Sequence, residues 1–331
     1  MSAITANNLT IGYKQGKRGN KIIHENLSFS LEEGELTCLL GPNGAGKSTL
    51  LRTISGSQQA LGGELLLEGR PLTSYNDKEL ARTIGLVLTD RTMGGGLSVY
   101  EMVALGRQPH TGFFGRLNDN DREIVQKSLD LVGISHKADS YVAELSDGVR
   151  QKVMIAKALA QECPMLLLDE PTAFLDVVSR IEIMNLLHEL AAKQHKTILL
   201  STHDMEQALL LGDRLWLLSD ENSLQCGVTE DLILSGAINK FFSRNEIAFD
   251  QMSGNFRPHY LHSRKVYLQA VDELRFWTKN LLMRNGFQVT EILEDALFTV
   301  EVVSAGEIRI ICSQTQFALA SFAELADYLK R

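Results

Sequence analysis

The sequence predicts an α/β fold: a phosphate-loop nucleotide-binding core with an antiparallel edge sheet and a helical insertion, followed by a small C-terminal α+β appendage. Three observations carry this reading. Gly41-Pro42-Asn43-Gly44-Ala45-Gly46-Lys47-Ser48-Thr49 lies between the apolar run Leu36 to Leu40 and a helix-like Leu50-Leu51-Arg52, the strand-loop-helix context a phosphate loop requires. Residues 165 to 168 and 197 to 200 are continuous apolar runs of buried parallel-strand type, separated by a helical pattern on Ile181, Met184, Leu187 and Leu190. After about Asn255 the organisation changes to short strands and two amphipathic helices.

The elements follow in order. Leu9 to Tyr13, Ile22-Ile23, Leu27 to Leu31 and Leu65 to Leu67 are strand-like runs set apart by Gly, Asn and charged turns, which predicts the edge sheet. In the phosphate loop, Gly41, Gly44 and Gly46 let the backbone turn its N–H groups inward around a β-phosphate. Lys47 brings positive charge toward the β- and γ-phosphates, Ser48 can place a hydroxyl on Mg²⁺, and the next helix points its positive end at the same anion. From Asp119 to Val132, Ile124, Val125, Leu129 and Val132 recur on one face, so a helical insertion at about 90–162 divides the core. In the appendage, Val266 to Leu268 reads as a strand, and a helix carries Val271, Leu274, Trp277 and Leu281 up to Gly286. Two alternating strands follow (Phe298, Val300, Val302 and Ile308, Ile310, Cys312), then a helical face on Leu319, Phe322, Leu325 and Leu329. Phe276, Trp277 and Tyr267 are read as packing residues.

Composition narrows the class. Of 331 residues, 44% are hydrophobic and 22% charged, an ordinary globular mixture large enough for a main domain and a smaller one. The net charge of −8 opposes a nucleic-acid surface, and the one dense basic patch, Lys14 to Lys21, reads as a solvated loop between strands. No apolar stretch has the roughly 18 to 20 residues that span a bilayer, and Met1-Ser-Ala-Ile-Thr lacks the character of a signal peptide, so a cytoplasmic chain is expected. Cys38, Cys163, Cys226 and Cys312 show no paired metal-ligand spacing and are expected as buried free thiols.

A phosphate loop alone admits kinases, GTPases and motors. Further motifs in one order choose among them: Tyr13 upstream, Leu145-Ser-Asp-Gly-Val-Arg-Gln151, Asp169-Glu170 ending an apolar strand, Ala173-Phe-Leu-Asp176, and His203 within Ser201-Thr-His-Asp204. This set resembles the ATP-binding cassette (ABC) family from near Ile4 to near Asn245. A small-molecule kinase would leave Ser146 to Gln151 and His203 unexplained. The resemblance implies a nucleotide-binding domain over 1–245, with 246–331 a linker and small α+β domain. It implies that Tyr13 stacks on adenine, that Asp169 holds Mg²⁺, that Glu170 polarises the attacking water as general base, and that His203 reaches the γ-phosphate. Ser146 and Gly148 would close on ATP held by a second copy, with Asp176 at the junction, so the resemblance implies a head-to-tail homodimer.

The chain departs from the family pattern in places. Where the family places Gln after the strand Ile84 to Leu88, Thr89-Asp90 stands here, and the Mg²⁺-facing and coupling role passes to Thr89. Asp147 and Val149 replace commoner residues of the signature, and the Asp147 carboxylate is expected to point away from nucleotide while Ser146 and the Gly148 backbone keep their contacts. Ala104-Leu-Gly-Arg-Gln-Pro-His110, followed by Gly112 to Arg116 and the acidic helix start Asp119 to Asp121, resembles the helical insertion of importers for iron chelates, haem and cobalamin. The implied protein is the ATPase subunit of such an importer, peripheral on the cytoplasmic face of the inner membrane. Its partners would be two copies of a transmembrane permease and, indirectly, an external substrate-binding protein, with no nucleic acid. The other reading is a soluble, non-transport ABC ATPase acting as a mechanical switch on a macromolecular complex. Such proteins commonly carry two cassettes or a long coiled coil, and this chain has neither.

Overall fold

The structure is a computed structural model of the chain. It describes residues 2–15, 19–88, 96–112, 115–219, 223–242, 247–251, 254–258, 264–312 and 315–330. Two compact units divide it in an interleaved way, unit 1 comprising 1–243 and 249–255 and unit 2 comprising 244–248 and 256–331.

Unit 1 begins with the long strands β1 (Ser2–Lys14) and β2 (Asn20–Glu32), antiparallel to each other. The runs Ile22-Ile23 and Leu27 to Leu31 are one strand, not two. A bulge keeps it continuous: Leu9 pairs Leu27 but Ile11 pairs His24, which leaves one extra residue in β2, and Asn26 there has φ 57°. β3 (Leu36–Leu40) enters the phosphate loop, and α1 (Lys47–Ile54) leaves it. β4 (Gly62–Leu67) and β5 (Arg70–Pro71) complete a four-stranded antiparallel sheet in the order β2-β1-β4-β5. α2 (Asp77–Thr83) and β6 (Ile84–Val87) precede the insertion, whose helices are α3 (Val99–Ala104), α4 (Asp119–Leu131) and α5 (Asp147–Ala160).

Past the insertion the chain alternates β7 (Met165–Asp169), α6 (Val177–Gln194), β8 (Thr197–Ser201), α7 (Met205–Leu211), β9 (Arg214–Ser219) and β10 (Ser223–Val228). The second sheet runs β10-β9-β3-β8-β7-β6, parallel except at its β10 edge. Every residue of β3, β7 and β8 is buried, which is why these strands read as unbroken apolar runs. The inner residues of both sheets and Leu50, Leu51 and Ile54 of α1 share one core, where the Phe29 and Trp216 rings lie 4.6 Å apart. Parallel strands send all their carboxyl ends to one edge, so the loops after β3, β7 and β8 emerge side by side. α8 (Thr229–Leu234), α9 (Ala237–Phe242) and a ribbon of β11 (Ile247–Asp250) and β12 (Asn255–Pro258) follow.

Unit 2 is built on β13 (Arg264–Gln269), α10 (Asp272–Arg284), β14 (Phe287–Thr290), β15 (Thr299–Ser304), β16 (Glu307–Cys312), β17 (Thr315–Leu319) and α11 (Phe322–Leu329). Its sheet runs β14-β13-β15-β16-β17, and one face packs Val266, Leu268, Val300, Val302, Ile308 and Ile310 against Leu281, Leu282, Leu325 and Leu329. Leu319 ends a strand and does not belong to the last helix. The packing expectation is corrected for two of the three aromatics: Trp277 is 62% exposed and Phe276 44% on α10, whose Leu281 and Leu282 are buried, while Tyr267 is half-buried. Of the cysteines, Cys38 and Cys163 are buried, Cys312 is half-buried and Cys226 is exposed. Among the described residues, no helix is long and apolar enough to cross a membrane.

Candidate nucleotide site

Two glycines explain why the loop after β3 can form. A β-carbon on Gly41 would stand 2.3 Å from the Leu218 carbonyl oxygen, so only glycine permits this approach to β9. Gly46, with φ 89°, is the N-cap of α1, and a β-carbon there would meet Ile23 Cγ2 at 2.7 Å. The turn they allow presents the first, unpaired N–H groups of α1 to the loop. Pro42, Asn43 and Gly44 are exposed at its tip, Ala45 is buried beneath it, and Ser48 lies in the first turn of α1. Thr49 receives the Tyr13 side chain, their hydroxyls 2.9 Å apart, which sets the 40% exposed Tyr13 ring beside the loop.

Lys47 is buried and turned back on its own loop, with Nζ donating to the carbonyls of Gly41 (2.8 Å) and Pro42 (3.2 Å). Burial lowers its pKa, and the carboxylates of Glu170 and Asp169 oppose that shift. Nζ also lies 3.4 Å from His203 Nε2, and the same Nε2 lies 2.6 Å from Glu170 Oε1. One ring nitrogen cannot accept from Lys47 and donate to Glu170 at once. The shorter contact decides: an ionised carboxylate only accepts, so the proton sits on Nε2 and Lys47 makes a close pass.

Asp169 ends β7 with Glu170 just beyond it, and Ser201 ends the adjacent β8 with Thr202 and His203 just beyond it, Asp169 being paired to Ser201 in the parallel register. Ser201 is fully buried. Its hydroxyl donates to Asp169 Oδ1 at 2.7 Å. Glu170 is a non-glycine residue at φ 49°, a strained conformation held by its N–H, which is shared between Ser201 Oγ (2.9 Å) and Ser201 O (3.1 Å).

Ser146 and Gly148 stand at the start of α5. Ser146 is its N-cap, accepting from the Val149 N–H at 3.5 Å. The Asp147 carboxylate is paired with Arg150 at 2.9 Å, and Arg150 also donates to the Leu145 carbonyl at 2.9 Å, so the acid is held along its own helix. Gly148 abuts α6, where a β-carbon would come within 2.9 Å of Ser179 Oγ. Asp176 caps that same helix, accepting from the Ser179 N–H (3.0 Å) and hydroxyl (2.7 Å), and these bonds lower its pKa. Within one chain, the structure thus joins Lys47, Glu170 and His203, and separately joins Gly148 to the turn capped by Asp176. Thr89 lies outside the described residues.

The Ala104–His110 segment packs into the helical insertion. Arg107 is 2% exposed and donates to Asp121 (2.9 Å), the Ala160 carbonyl (2.7 Å) and Glu162 (2.7 Å). A β-carbon on Gly106 would stand 2.2 Å from the Lys157 carbonyl, and His110 Nε2 meets the Gln161 carbonyl at 2.9 Å. The motif is the knot that fastens α4 and α5 together.

The description "ABC transporter" fits residues 24–173, and "Iron ABC transporter C-terminal domain" fits 263–330. An ABC transporter ATP-binding protein of Methanocaldococcus jannaschii, MJ0873, is 34% identical over 280 residues, covering 82% of this chain and 95% of that one. The chain belongs to the ABC transporter ATP-binding proteins. Two further relatives of this ABC ATPase carry named cargo. The ferric enterobactin transport protein FepC of Escherichia coli is 38% identical, covering 74% of this chain and 89% of its own length. The iron(3+)-hydroxamate import protein FhuC of Bacillus subtilis is 40% identical, covering 63% and 76%. Among solved structures, the dimeric ABC cassette MJ0796 is 29% identical with a TM-score of 0.60, covering 68% of this chain and 98% of that one. The ABC ATPase binds and hydrolyses ATP.

Two residues at the site escape the sequence reading. The sequence places Ser201 in the Ser201-Thr-His-Asp204 motif but gives it no role of its own. His24, buried, reaches the Ala45 carbonyl through Nε2 at 2.8 Å and so backs the phosphate loop. The bulge at Asn26 inverts the alternation that points Leu27, Phe29 and Leu31 inward, which hid His24 from a period-of-two pattern.

Proposed function

We propose that this ABC ATPase powers an importer of iron chelates, with haem and cobalamin as chemically related cargo, through ATP-driven head-to-tail closure of a homodimer on the cytoplasmic face of the cell membrane. Two permease copies would be attached, and an external binding protein would deliver cargo. The observation that carries the reading is the meeting of Lys47, Glu170 and His203 at adjacent strand ends, while Ser146 and Gly148 cap a helix of the insertion. The relation to FepC and FhuC and the match to the iron-transporter C-terminal family support the cargo class. Phe174, Val177 and Val178 flank Asp176 and are 75%, 68% and 65% exposed, an apolar patch suited to a second copy.

The residues divide the work. Tyr13 stacks the base, the phosphate-loop N–H groups wrap the β-phosphate, and Lys47 gives up the Gly41 and Pro42 carbonyls for phosphate oxygens. Ser48 and Asp169, with Thr89 as a further oxygen donor, offer hydroxyl and carboxylate ligands that suit a hard cation. Mg²⁺, when bound, offsets phosphate charge. Glu170 takes the proton of the attacking water, and His203 orients Glu170 and reaches the γ-phosphate. Closure follows by linkage, because ATP favours the closed pair and hydrolysis ends that preference.

The test is a Glu170→Gln protein co-expressed with a candidate permease from its own genome. The expected results are an ATP-dependent doubling of mass in light scattering of the isolated subunit and recovery of the complex with membranes. Uptake of labelled ferric chelate, haem and cobalamin by the wild-type complex then identifies the cargo. A Glu170→Gln protein that stays soluble with its permease present would favour the mechanical-switch reading and refute transport.

A further inference from the structure

We infer that Ser201 is the positioning residue that couples the Mg²⁺-binding carboxylate to the general base, an inference that rests on the roles proposed above for Asp169 and Glu170. The Ser201 hydroxyl has one proton, and it is spent on Asp169 Oδ1 at 2.7 Å. That direction is forced, because an ionised carboxylate only accepts. The hydroxyl oxygen's lone pairs are then free to accept, and the Glu170 N–H lies 2.9 Å away. Ser201 therefore donates to one acid and accepts from the backbone of the next.

This bond has a specific consequence for Glu170. A non-glycine residue at φ 49° stands in the sparsely populated left-handed region and stays there only because its surroundings hold it. Among the described residues the hold on that N–H comes from Ser201, whose hydroxyl and carbonyl both accept from it. The conformation turns the Glu170 side chain toward His203 Nε2, 2.6 Å away. Ser201 lies in register with Asp169 and with Leu39, whose carbonyl accepts from the next residue, Thr202, at 3.1 Å. The serine is fully buried in the central strand of the three that carry the site, so its hydroxyl cannot be replaced by bulk water.

Ser201→Ala removes this linker with the smallest possible change in shape. The fold should survive, because the backbone carbonyl still accepts from Glu170 and only one oxygen is lost. Three measurements on the full-length protein separate the possibilities: affinity for a fluorescent ADP analogue without Mg²⁺, its enhancement on adding Mg²⁺, and steady-state ATP hydrolysis. Ser201→Ala should bind the metal-free analogue within about twofold of wild type. Its Mg²⁺ enhancement should fall about tenfold and its kcat about tenfold or more, the size expected for losing a hydrogen bond to a charged group. Hydrogen exchange at the Glu170 amide should accelerate. Ser201→Thr, which restores the hydroxyl, should recover the Mg²⁺ enhancement.

Unchanged Mg²⁺ enhancement and unchanged amide exchange in a folded Ser201→Ala protein would overturn the inference. So would an equal loss of metal-free and Mg²⁺-dependent binding, which would make Ser201 a general packing residue. If wild type itself shows no Mg²⁺ enhancement, the assignment of Asp169 fails instead, and the two failures are distinct.

Discussion

Replacing Arg107 with alanine should cost unit 1 about 3–4 kcal/mol of stability. The guanidinium is 3% exposed and faces an Asp121 carboxylate that is 4% exposed. Removing one partner of a buried ion pair costs about 3–5 kcal/mol, because the other charge is left in a low-dielectric site. Asp121 is not wholly abandoned, since it still accepts from the Asn118 N–H at 3.1 Å and sits in the first turn of α4, which favours the lower end. The Ala160 carbonyl loses its Arg107 bond, which adds about 1 kcal/mol. Glu162, half exposed, adds little. The assay is urea unfolding followed by tryptophan fluorescence in a Trp277→Phe background. The chain has two tryptophans, so Trp216, packed on Phe29 in the core of unit 1, becomes the sole reporter. The midpoint should fall by roughly 1 M urea. A cycle of Arg107→Met, Asp121→Asn and the double variant should show coupling of about 2 kcal/mol. A midpoint shift below about 0.3 M, or coupling below about 0.5 kcal/mol, would refute the reasoning.

The same pair sets a pH dependence. Burial pushes the Asp121 pKa up, but the Asn118 N–H and the Arg107 guanidinium outweigh it, and the net direction is down. A depressed carboxyl stabilises the fold above its unfolded pKa of about 3.9 and loses that contribution as pH falls through the lower folded value. The stability gap between wild type and Asp121→Asn should therefore stay level at neutral pH and close only in acid; a gap that closes near neutrality would contradict the direction of the shift. Burial also pushes the thiols of Cys38 and Cys163 up, to about 12 and about 11. In the native protein at about pH 8, peptide mass mapping after iodoacetamide treatment should find both unmodified until urea unfolds the chain. Native-state labelling of either at the rate of a free thiol would contradict their burial.

Much of the site was readable because its chemistry constrains residue type at fixed spacing. The Gly41–Thr49 loop, the acids ending one apolar strand and the histidine ending another belong to local patterns, and β3, β7 and β8 fall where unbroken apolar runs place them. Some readings failed on element bounds, as where Ile22-Ile23 and Leu27 to Leu31 proved one strand and Leu319 a strand end, and others on exposure. Trp277 and Leu281 lie one turn apart on the same side of α10, yet Trp277 is 62% exposed and Leu281 is buried, since a helical pattern gives a face and not what covers each part of it. Arg107 has the composition of a surface residue; only the acid from α4 and the carbonyl from α5 make its burial tolerable.

The sequence by itself determined that this protein binds nucleotide and that it belongs among ATP-binding cassettes, and it marked the loop from which the phosphate contacts are proposed. Those properties live in short contiguous segments, where backbone freedom at Gly41 and Gly46 or a carboxylate after four buried residues is a local requirement. Tertiary structure alone decided how the segments act on one another. Ser201 lies 32 residues from Asp169 and His24 lies 21 from Ala45, and parallel pairing and a bulged strand brought each pair to hydrogen-bond distance. Contacts between distant segments depend on strand order and register, which are set by the packing of the whole sheet and not by any window of residues.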